Sequence, residues 1–305
     1  MANRKISIIM ALVLTFMTLI TACAQQAEVS ENAVGKNTAS ENSGTVSNTE
    51  NAPADPGKQS DKSIFAGTMA EMTWEQVMKE ADNKAVVLFP IAVVEEHGPH
   101  MDLTPDIYLT YIECKLLKQN LEKSGIHSVI APPYYWGINE STGSFPGSFT
   151  LKPETLKTVL SDIVECLKEW GFTQVFYVNQ HGDPFQRNTL KSSADELKSS
   201  LGIDVVDVLS LPAAPDSPSF PAPKEGKFAP DFHAGADETS WVWAFYPDKV
   251  NVEAARKLEP QPNFFPLGYA GDPANFDTEN GKEVWDIIVQ MDTLKIKAYL
   301  EQSKK

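Results

Sequence analysis

Short apolar runs and longer amphipathic segments alternate along the chain from about residue 73 to the C-terminus. Runs rich in β-branched and aromatic residues predict buried strands at 85–94, 128–131, 174–178 and 203–208. Apolar residues at helical spacing predict helices at 73–81, 106–123 and 153–170, another that ends near 197, and a last one at 282–302. We therefore expect an α/β fold, a three-layer sandwich with a mostly parallel central sheet flanked by helices.

Local residues mark several of these boundaries. Thr73 and Gln76 have the spacing of a capping box, and glycines follow two of the predicted helix ends, where a left-handed residue is favoured. The segment 211–230 is rich in proline, and we expect it to be a surface loop. The helix at 282–302 is amphipathic, and we expect it to pack on the sheet.

The N-terminus has the features of an export signal. Arg4 and Lys5 precede an apolar stretch at 6–20, which is too short for a comfortable membrane span. The next residues resemble the lipobox of bacterial lipoprotein signal peptides, which implies cleavage before Cys23 and a lipid on its sulfur. The alternative is an ordinary secretory signal cleaved near Ala22. We expect an exported bacterial lipoprotein, on the cell surface or in the periplasm, that meets the membrane only through its anchor.

Composition divides the chain into a signal segment at 1–23, a tether at 24–62 and one domain at 63–305. The tether is polar and lacks aromatic residues, so it has too little apolar surface to fold alone. The formal net charge of −15 argues against nucleic-acid binding and agrees with a site that binds cations. Cys114 and Cys166 lie in predicted helices, and we expect both in the core. Whether they form a disulfide is left open by the sequence.

The first predicted strand leads into the densest group of reactive side chains. Directly after it come Glu95, Glu96, His97 and His100, and Asp106 follows near the start of a predicted helix. Ligands gather at the carboxyl ends of strands in α/β sheets. Carboxylates and imidazoles are ligands that Zn²⁺ and Mn²⁺ accept, and one carboxylate can bridge two ions. The alternative is a solvated loop that happens to be acidic.

Two further loops combine an imidazole with acids. One follows the third predicted strand and holds His181 and Asp183. The other precedes a predicted helix and holds Asp231, His233 and Glu238. For Glu238 alone, an acid that complements the positive end of a helix is a sufficient explanation. Four of the five histidines in the chain lie in these three loops, and this concentration favours a metal site.

Several motifs, in order along the chain, resemble those of the creatininase (creatinine amidohydrolase) family. The first is the loop that begins at Glu95. The others are a glycine-rich loop at 136–148 that ends in Phe-Pro-Gly-Ser, Asn-Gln-His-Gly at 179–182, His-Ala-Gly and Glu-Thr-Ser within 233–240, and Gly-Asp-Pro at 271–273. The resemblance runs through essentially the whole predicted domain, and it identifies the chain as an exported member of this family.

The resemblance implies an α/β sandwich that holds two divalent metal ions, Zn²⁺ and/or Mn²⁺, with Fe also compatible. The residues that it assigns as ligands are Glu95 and His181 for one ion, His97 for the other, Asp106 as the bridge, and either Asp183 or Glu238 to complete the second site. The choice between the last two stays open, because the acid in creatininase is a glutamate at the position of Asp183, whereas many relatives have glycine there.

The resemblance also suggests roles for residues around the metals. His233 would transfer a proton to the leaving nitrogen, and Asp231 would orient that imidazole or bind a substrate N–H. His100 would hold a ligand in place from behind. Asn139 and Gly182 occupy substrate-contacting positions where creatininase has other residues, so the metal frame matches creatininase and its creatinine pocket does not clearly match.

The function implied is hydrolysis of the C–N amide bond of a small substrate, cyclic or open, by a metal-bridging hydroxide. One alternative is a hydrolase of the same fold that acts on a lactone or a cyclic ketone. Another is a surface lipoprotein that binds without catalysis. The family resemblance further predicts a homo-oligomer, often a hexamer.

Overall fold

A computed structural model describes residues 63–219 and 231–303. Its centre is a parallel sheet of four strands in the order β2-β1-β3-β4. The strands are β1 (Val86–Pro90), β2 (Ser128–Ile130), β3 (Gln174–Val178) and β4 (Asp204–Asp207). Val87 of β1 pairs with Val129 on one side and with Val175 on the other. Strands β1 and β3 are therefore the two inner strands, and both lead into loops that carry predicted ligands.

Seven α-helices lie in the described residues. They are α1 (Trp74–Asp82), α2 (Pro105–Lys123), α3 (Pro153–Glu169), α4 (Pro184–Leu201), α5 (Ala236–Phe245), α6 (Val252–Ala255) and α7 (Thr278–Gln302). Helices α2, α3 and α4 each connect one strand to the next, as parallel pairing requires. The predicted α/β fold with a parallel central sheet and flanking helices is confirmed.

Two hydrophobic cores lie on opposite faces of the sheet. Side chains alternate along β1, so Val87 and Phe89 pack with α3 and α4, whereas Val86 and Leu88 pack with α2 and α7. All five residues of β1 are buried. Burial on both faces explains why this strand is a continuous apolar run in the sequence.

The predicted boundaries agree with the structure except at a few ends. The capping box of α1 is confirmed, because Gln76 N donates to Thr73 Oγ1 at 3.4 Å and Thr73 N donates to Gln76 Oε1 at 2.7 Å. The first strand is shorter than predicted and ends at Pro90. Ile91 N still donates to Val178 O at 2.9 Å, and Ile91 forms an isolated bridge with Tyr134. Such a bridge keeps the chain extended without continuing the ladder.

The last helix begins a turn earlier than predicted, at Thr278, and it packs differently. Helix α7 lies mainly against α5 and α2. It reaches the sheet at Tyr299, whose ring meets Phe176 edge to face with centroids 5.9 Å apart. The expectation that this helix packs on the sheet is therefore only partly correct, since it shares a core with the sheet but packs mainly on those two helices.

The two cysteines of the domain differ from each other. Cys114 is buried as predicted, and Cys166 is exposed, which corrects the prediction that both are core residues. Cys166 lies on the outward face of α3, whose inward face carries Leu160 and Leu167. Both thiols are free, and they belong to helices on opposite faces of the sheet.

The predictions for the signal segment at 1–23 and the tether at 24–62 lie outside the described residues. The proline-rich segment is described only as far as residue 219. Within the described parts of the chain, no helix combines the length and the apolar character that crossing a bilayer requires.

Candidate metal centre

The three loops predicted to carry ligands meet at one edge of the sheet. Strands β1 and β3 are parallel neighbours, so the loops that follow them leave at the same edge. The start of α5 joins them there, and Glu238 Oε1 lies 3.3 Å from His97 Nε2. The structure thus brings together acids and imidazoles that are up to 143 positions apart in sequence, from Glu95 to Glu238.

Glu95, Asp106 and His181 form the first group of side chains able to hold a cation. His181 Nδ1 lies 2.9 Å from Glu95 Oε2 and 3.0 Å from Asp106 Oδ2. Its other nitrogen, Nε2, lies 3.0 Å from the carbonyl oxygen of Ile138, which can only accept a hydrogen bond. In the neutral ring Nε2 therefore carries the hydrogen, and the lone pair of Nδ1 faces two carboxylates. This arrangement suits a cation between the three atoms.

The second group consists of His97, Asp106 and Glu238. His97 Nδ1 donates to the backbone oxygen of Glu95 at 3.1 Å, so its Nε2 is the unprotonated nitrogen of the neutral ring. That Nε2 lies 3.3 Å from Glu238 Oε1 and 3.7 Å from Asp106 Oδ1. The group repeats the design of the first one, in which a backbone carbonyl fixes the ring and a lone pair faces two carboxylates.

Asp106 belongs to both groups and divides its two oxygens between them. Its Oδ1 faces His97 and its Oδ2 faces His181. The side chain is buried in the first turn of α2, and beside the neutral ring of His181 its Oδ2 has no hydrogen-bond donor. A buried carboxylate oxygen without a donor is costly unless a cation neutralises it. The donor set of this site therefore fits divalent cations, and Asp106 is shared by two of the groups that could hold them.

Electrostatics favour positive charge throughout the site. Burial opposes charge on both imidazoles, yet Glu238 raises the pKa of His97 and Glu95 raises the pKa of His181, in each case with help from Asp106. Burial likewise opposes the charge of Asp106, but the two imidazoles hold its pKa well below the usual range. Without metal the site therefore keeps protons where cations would bind, so protons and metal ions compete for it.

His233 lies beside the second group and forms a third group of candidate ligands together with Glu95 and His97. Its ring packs on that of His97, with centroids 4.6 Å apart. His233 Nε2 lies 2.8 Å from the backbone oxygen of Glu96 and 3.3 Å from Glu96 Oε1. Burial and His97 lower the pKa of His233, but Glu96 and the nearby acids raise it more.

The residue that orients His233 is Glu96, and sequence reasoning assigned it no role. The candidate for this contact was Asp231, but its Oδ2 accepts from the backbone N–H of Asp237 at 2.7 Å. Burial raises the pKa of Asp231 to about 7. Asp231 also lines the cavity next to the metal groups. Of its two predicted roles, its position is therefore compatible with contact to substrate.

Asp183 caps a helix and takes part in none of the three groups found among the described residues. Its Oδ1 accepts from the backbone N–H groups of Phe185 and Gln186 at the start of α4, and its Oδ2 accepts from Ser141 N at 2.9 Å. Burial raises the pKa of Asp183, but these backbone donors lower it by more, so the pKa lies below its usual value. With both oxygens committed to backbone donors, Asp183 is a weaker ligand candidate than Glu238.

Asn139 lies behind the wall of the cavity. Its side chain is fully buried, and Nδ2 donates to the carbonyl oxygens of Val94 at 3.2 Å and Phe149 at 2.7 Å. These bonds tie the glycine-rich loop to the end of the first strand region. The prediction that Asn139 contacts substrate therefore finds no support in its position.

His100 supports the site from behind. It is buried, and its Nε2 lies 2.9 Å from Thr239 Oγ1, next to the ligand candidate Glu238. Burial, followed by the nearby His97, lowers the pKa of His100 to about 4. A neutral ring packed under the start of α5 matches the predicted supporting role.

A cavity of about 330 Å³ opens beside the two metal groups. Phe232, Trp241 and Phe264 form its apolar side, and Gly182 lies at a point where a side chain would meet no atom within 4 Å. No lysine or arginine is among the described residues that line it. Phe264, Trp241 and the hydroxyl of Thr142, which donates to Glu95 Oε1 at 2.5 Å, were not predicted. Thr142 lies in the glycine-rich loop and Trp241 directly follows a motif, but neither is a motif residue of its own, and Phe264 comes from a segment without any motif, so only the fold brings the three together.

The comparisons with known proteins agree with this geometry. The creatininase family, described as creatinine amidohydrolase, matches residues 70–292. The chain belongs to the creatininase family. Like its relatives in that family, it is a metal-dependent hydrolase.

Relatives within the creatininase family differ in what they act on. The chain is 27% identical over 219 residues to a creatinine amidohydrolase of Pseudomonas putida, a match that covers 67% of this chain and 80% of that protein. It is 24% identical over 207 residues to a 3-dehydro-scyllo-inosose hydrolase of Thermotoga maritima, covering 67% and 64%. It is 26% identical over 223 residues to a mycofactocin precursor peptide peptidase of Mycolicibacterium smegmatis, covering 67% and 81%.

Solved creatininase structures share the fold. A manganese form superimposes with a TM-score of 0.60 at 22% identity, covering 74% of this chain and 96% of the other. A zinc form of a creatininase variant gives 0.59 at 22% identity, covering 76% and 96%. A creatinine amidohydrolase-like protein of Bacteroides fragilis gives 0.53 at 20% identity, covering 68% and 87%.

Proposed function

We propose that the protein is a two-metal amidohydrolase that cleaves the C–N amide bond of a small substrate. The observation that carries the proposal is Asp106, a buried carboxylate with one oxygen in each of two ligand groups. Glu95 and His181 would hold one ion with it, and His97 and Glu238 the other. When bound there, a pair of divalent ions would supply an activated water as nucleophile and would polarise the carbonyl of the scissile amide.

His233 is the residue that we propose donates a proton to the leaving nitrogen. Its Nε2 donates to the backbone oxygen of Glu96, so Nδ1 is the nitrogen left to exchange a proton. It lines the cavity beside the metal groups, and Glu96 holds its ring in one orientation. A histidine suits this step because its protonated and neutral forms are close in free energy near neutral pH.

The cavity favours a neutral or cationic substrate. Its described lining contains several acids and no lysine or arginine that would pair with a carboxylate or phosphate. Phe232, Trp241 and Phe264 offer an apolar surface next to the acids. A compact amide with an apolar or positively charged part therefore complements the site better than an anion does.

A second candidate is hydrolysis of a lactone or a cyclic ketone on the same metal frame. It is favoured by the similarity to the Thermotoga hydrolase of a cyclic inosose, which stands beside the similarity to an amidase and a peptidase. The two candidates differ at the leaving atom. An amide nitrogen needs the proton from His233, and so would the carbon released from a cyclic ketone, whereas the alkoxide of a lactone leaves more readily without one.

The test is metal analysis combined with a substrate panel. Protein stripped by a chelator is reloaded with Zn²⁺ or Mn²⁺ and assayed on small linear amides, lactams and the corresponding lactones. We expect about two ions per chain and hydrolysis of amides that depends on metal. His233→Gln should keep the metal and lower kcat by roughly a hundredfold or more on amides, with a smaller loss on lactones.

Two results would contradict the amidohydrolase proposal. Lactone turnover with no amide turnover would favour the second candidate. Tight metal binding with no turnover of either class would favour a surface protein that binds its ligand without catalysis.

A further inference from the structure

A buried polar chain leads from α7 through α2 to the substrate cavity, and the hydrolytic mechanism does not use it. Thr110 and Glu113 lie one turn apart on α2, and neither has exposed surface. Thr110 Oγ1 accepts from the backbone N–H of Gln180 at 3.1 Å, and Glu113 Oε2 accepts from Gln180 Nε2 at 2.6 Å. Two contacts from one helix therefore fix both the backbone and the side chain of Gln180.

The row of buried polar residues continues from Glu113 to the C-terminal helix, α7. Its neighbour there is Asp292, which is also buried and pairs with Lys295 at 2.7 Å. Burial and then Asp292 raise the pKa of Glu113 well above its usual range, against the opposing effects of Gln180 and Lys295. A carboxyl group whose pKa is raised in this way is held neutral, and its Oε2 still accepts the hydrogen bond from Gln180.

Burying these polar side chains costs free energy, so we expect this row of buried residues to have a function. A buried carboxyl pair contributes little stability compared with apolar side chains of the same size. None of these residues belongs to the metal groups. The row of buried polar residues fixes the orientation of one side-chain amide, that of Gln180. Gln180 lines the cavity together with the metal-binding acids.

The orientation of that amide identifies its free atom. Gln180 Nε2 points to Glu113, away from the cavity, so the amide oxygen is the group left to face substrate. We propose that Gln180 determines specificity by accepting a hydrogen bond from an N–H of the substrate, and that Glu113 is a positioning residue for it. The substrate class is then an amide that carries an N–H beside the scissile carbonyl. This inference rests on the proposed amidohydrolase function and names its substrate more narrowly.

An acceptor fixed in this way discriminates against substrates without the N–H. A tertiary amide or a lactone would leave the amide oxygen of Gln180 unpaired against an apolar group, and an unpaired buried acceptor is unfavourable. The fixed orientation matters because a mobile glutamine would rotate its NH₂ group into the cavity and lose the selectivity. Removing the support from Glu113 should therefore act like removing Gln180 itself.

The experiment uses the metal-loaded full chain and two probes, N-benzylacetamide and N-benzyl-N-methylacetamide, which differ in the amide N–H. Hydrolysis and equilibrium binding of both probes are measured for the wild type and for Gln180→Leu. We expect the substitution to lower kcat/KM and affinity for the N–H probe by roughly tenfold and to leave the N-methyl probe within about twofold. Metal content is measured in parallel, because Gln180 adjoins His181.

Variants of Glu113 test the positioning role with a matched control. Glu113→Gln keeps an accepting oxygen for Gln180 and a donor for Asp292, so it should retain the selectivity of the wild type. Glu113→Leu keeps the volume and removes both contacts, so it should lose selectivity as Gln180→Leu does. Both variants are checked for folding by thermal unfolding; if Glu113→Leu does not fold, the Gln180 variant alone decides.

The outcomes separate this inference from the proposed function. An equal loss on both probes, or no loss on either, would overturn the role of Gln180 while leaving amide hydrolysis intact. Selective binding of the N–H probe that depends on Gln180, without turnover in the wild type, would support Gln180 and contradict the amidohydrolase proposal. Failure of the wild type to bind either probe would overturn the inference.

Discussion

At the scale of single residues, the metal site is defined by how each imidazole is fixed. Ile138 O holds one nitrogen of His181 and Glu95 O holds one nitrogen of His97, so the other nitrogen of each ring faces carboxylates. A backbone carbonyl cannot donate, and this fixes the tautomer. The pattern of the sequence indicates that histidines lie near acids, but the carbonyls that choose the nitrogen come from other parts of the chain.

The shared carboxylate leads to the first prediction. Asp106→Asn should lower metal affinity by more than roughly a hundredfold and remove hydrolytic activity, because an amide cannot bridge two cations with two anionic oxygens. Asp183→Asn is the matched control, since asparagine also caps helices. It should retain the metal content of the wild type. Metal analysis after dialysis checks both, and equal loss in the two variants would mean that Asp183 is a ligand.

At the scale of elements, the start of α5 positions Glu238 and is unusually crowded. Gly235 precedes the helix, and a Cβ at this position would lie 1.5 Å from Asp231 Oδ1. A Cβ at Gly271 would lie 2.5 Å from the same oxygen. Asp231 in turn accepts from the first turn of α5, so two glycines make room for a carboxylate that anchors the helix carrying a ligand candidate.

This crowding predicts a clear effect of one methyl group. Gly235→Ala should destabilise the protein by about 1–3 kcal/mol, because Asp231 must move and the helix start moves with it. Gly182→Ala is the control, since a Cβ there meets no atom within 4 Å. Its unfolding midpoint should equal that of the wild type. Thermal unfolding of metal-loaded protein measures both, and an unchanged midpoint for Gly235→Ala would contradict the packing described.

At the scale of the whole molecule, protons and metals compete for the same site, and this links stability to pH. The pKa values of His97 and His181 are raised above the ordinary 6.5 in the metal-free fold. Groups with a raised folded pKa contribute stability that is fully present below 6.5 and is lost as pH rises through the folded pKa values. Bound cations would replace those protons, so metal should remove most of this dependence.

We therefore expect the unfolding temperature of chelated protein to fall as pH rises from 6.5, and that of metal-loaded protein to fall much less. Differential scanning calorimetry across this range, with and without Zn²⁺, measures the difference. His127→Gln serves as control because His127 is exposed and outside the site, so its profile should follow that of the wild type. Identical profiles with and without metal would contradict the competition.

Anchoring and assembly remain predictions from the sequence. If Cys23 carries a lipid, Cys23→Ser should move the protein from the membrane fraction to the soluble fraction after export. Fractionation followed by immunoblotting checks this, and an unchanged distribution would favour the ordinary secretory signal. Size-exclusion chromatography of the soluble form tests whether the chain forms the homo-oligomer, often a hexamer, that the family resemblance suggests.

The sequence by itself determined the α/β alternation, the capping box of α1 and the motifs that lead to Glu95, Asp106 and His181. These features follow from local spacing, apolar runs and the chemistry of single side chains, which a linear sequence carries in full. Predictions from the sequence were wrong where packing determines which face of a helix is buried, as for Cys166, which lies on an outward face and is exposed.

Only the tertiary structure favoured Glu238 over Asp183, gave Glu96 its contact with His233, and joined Glu113 to Gln180. Each of these choices depends on which backbone donors already occupy an oxygen and on which distant helix lies against a loop. Such information arises when parallel strands bring their ends to one edge, because contacts between residues 67 to 143 positions apart have no local signal in the chain.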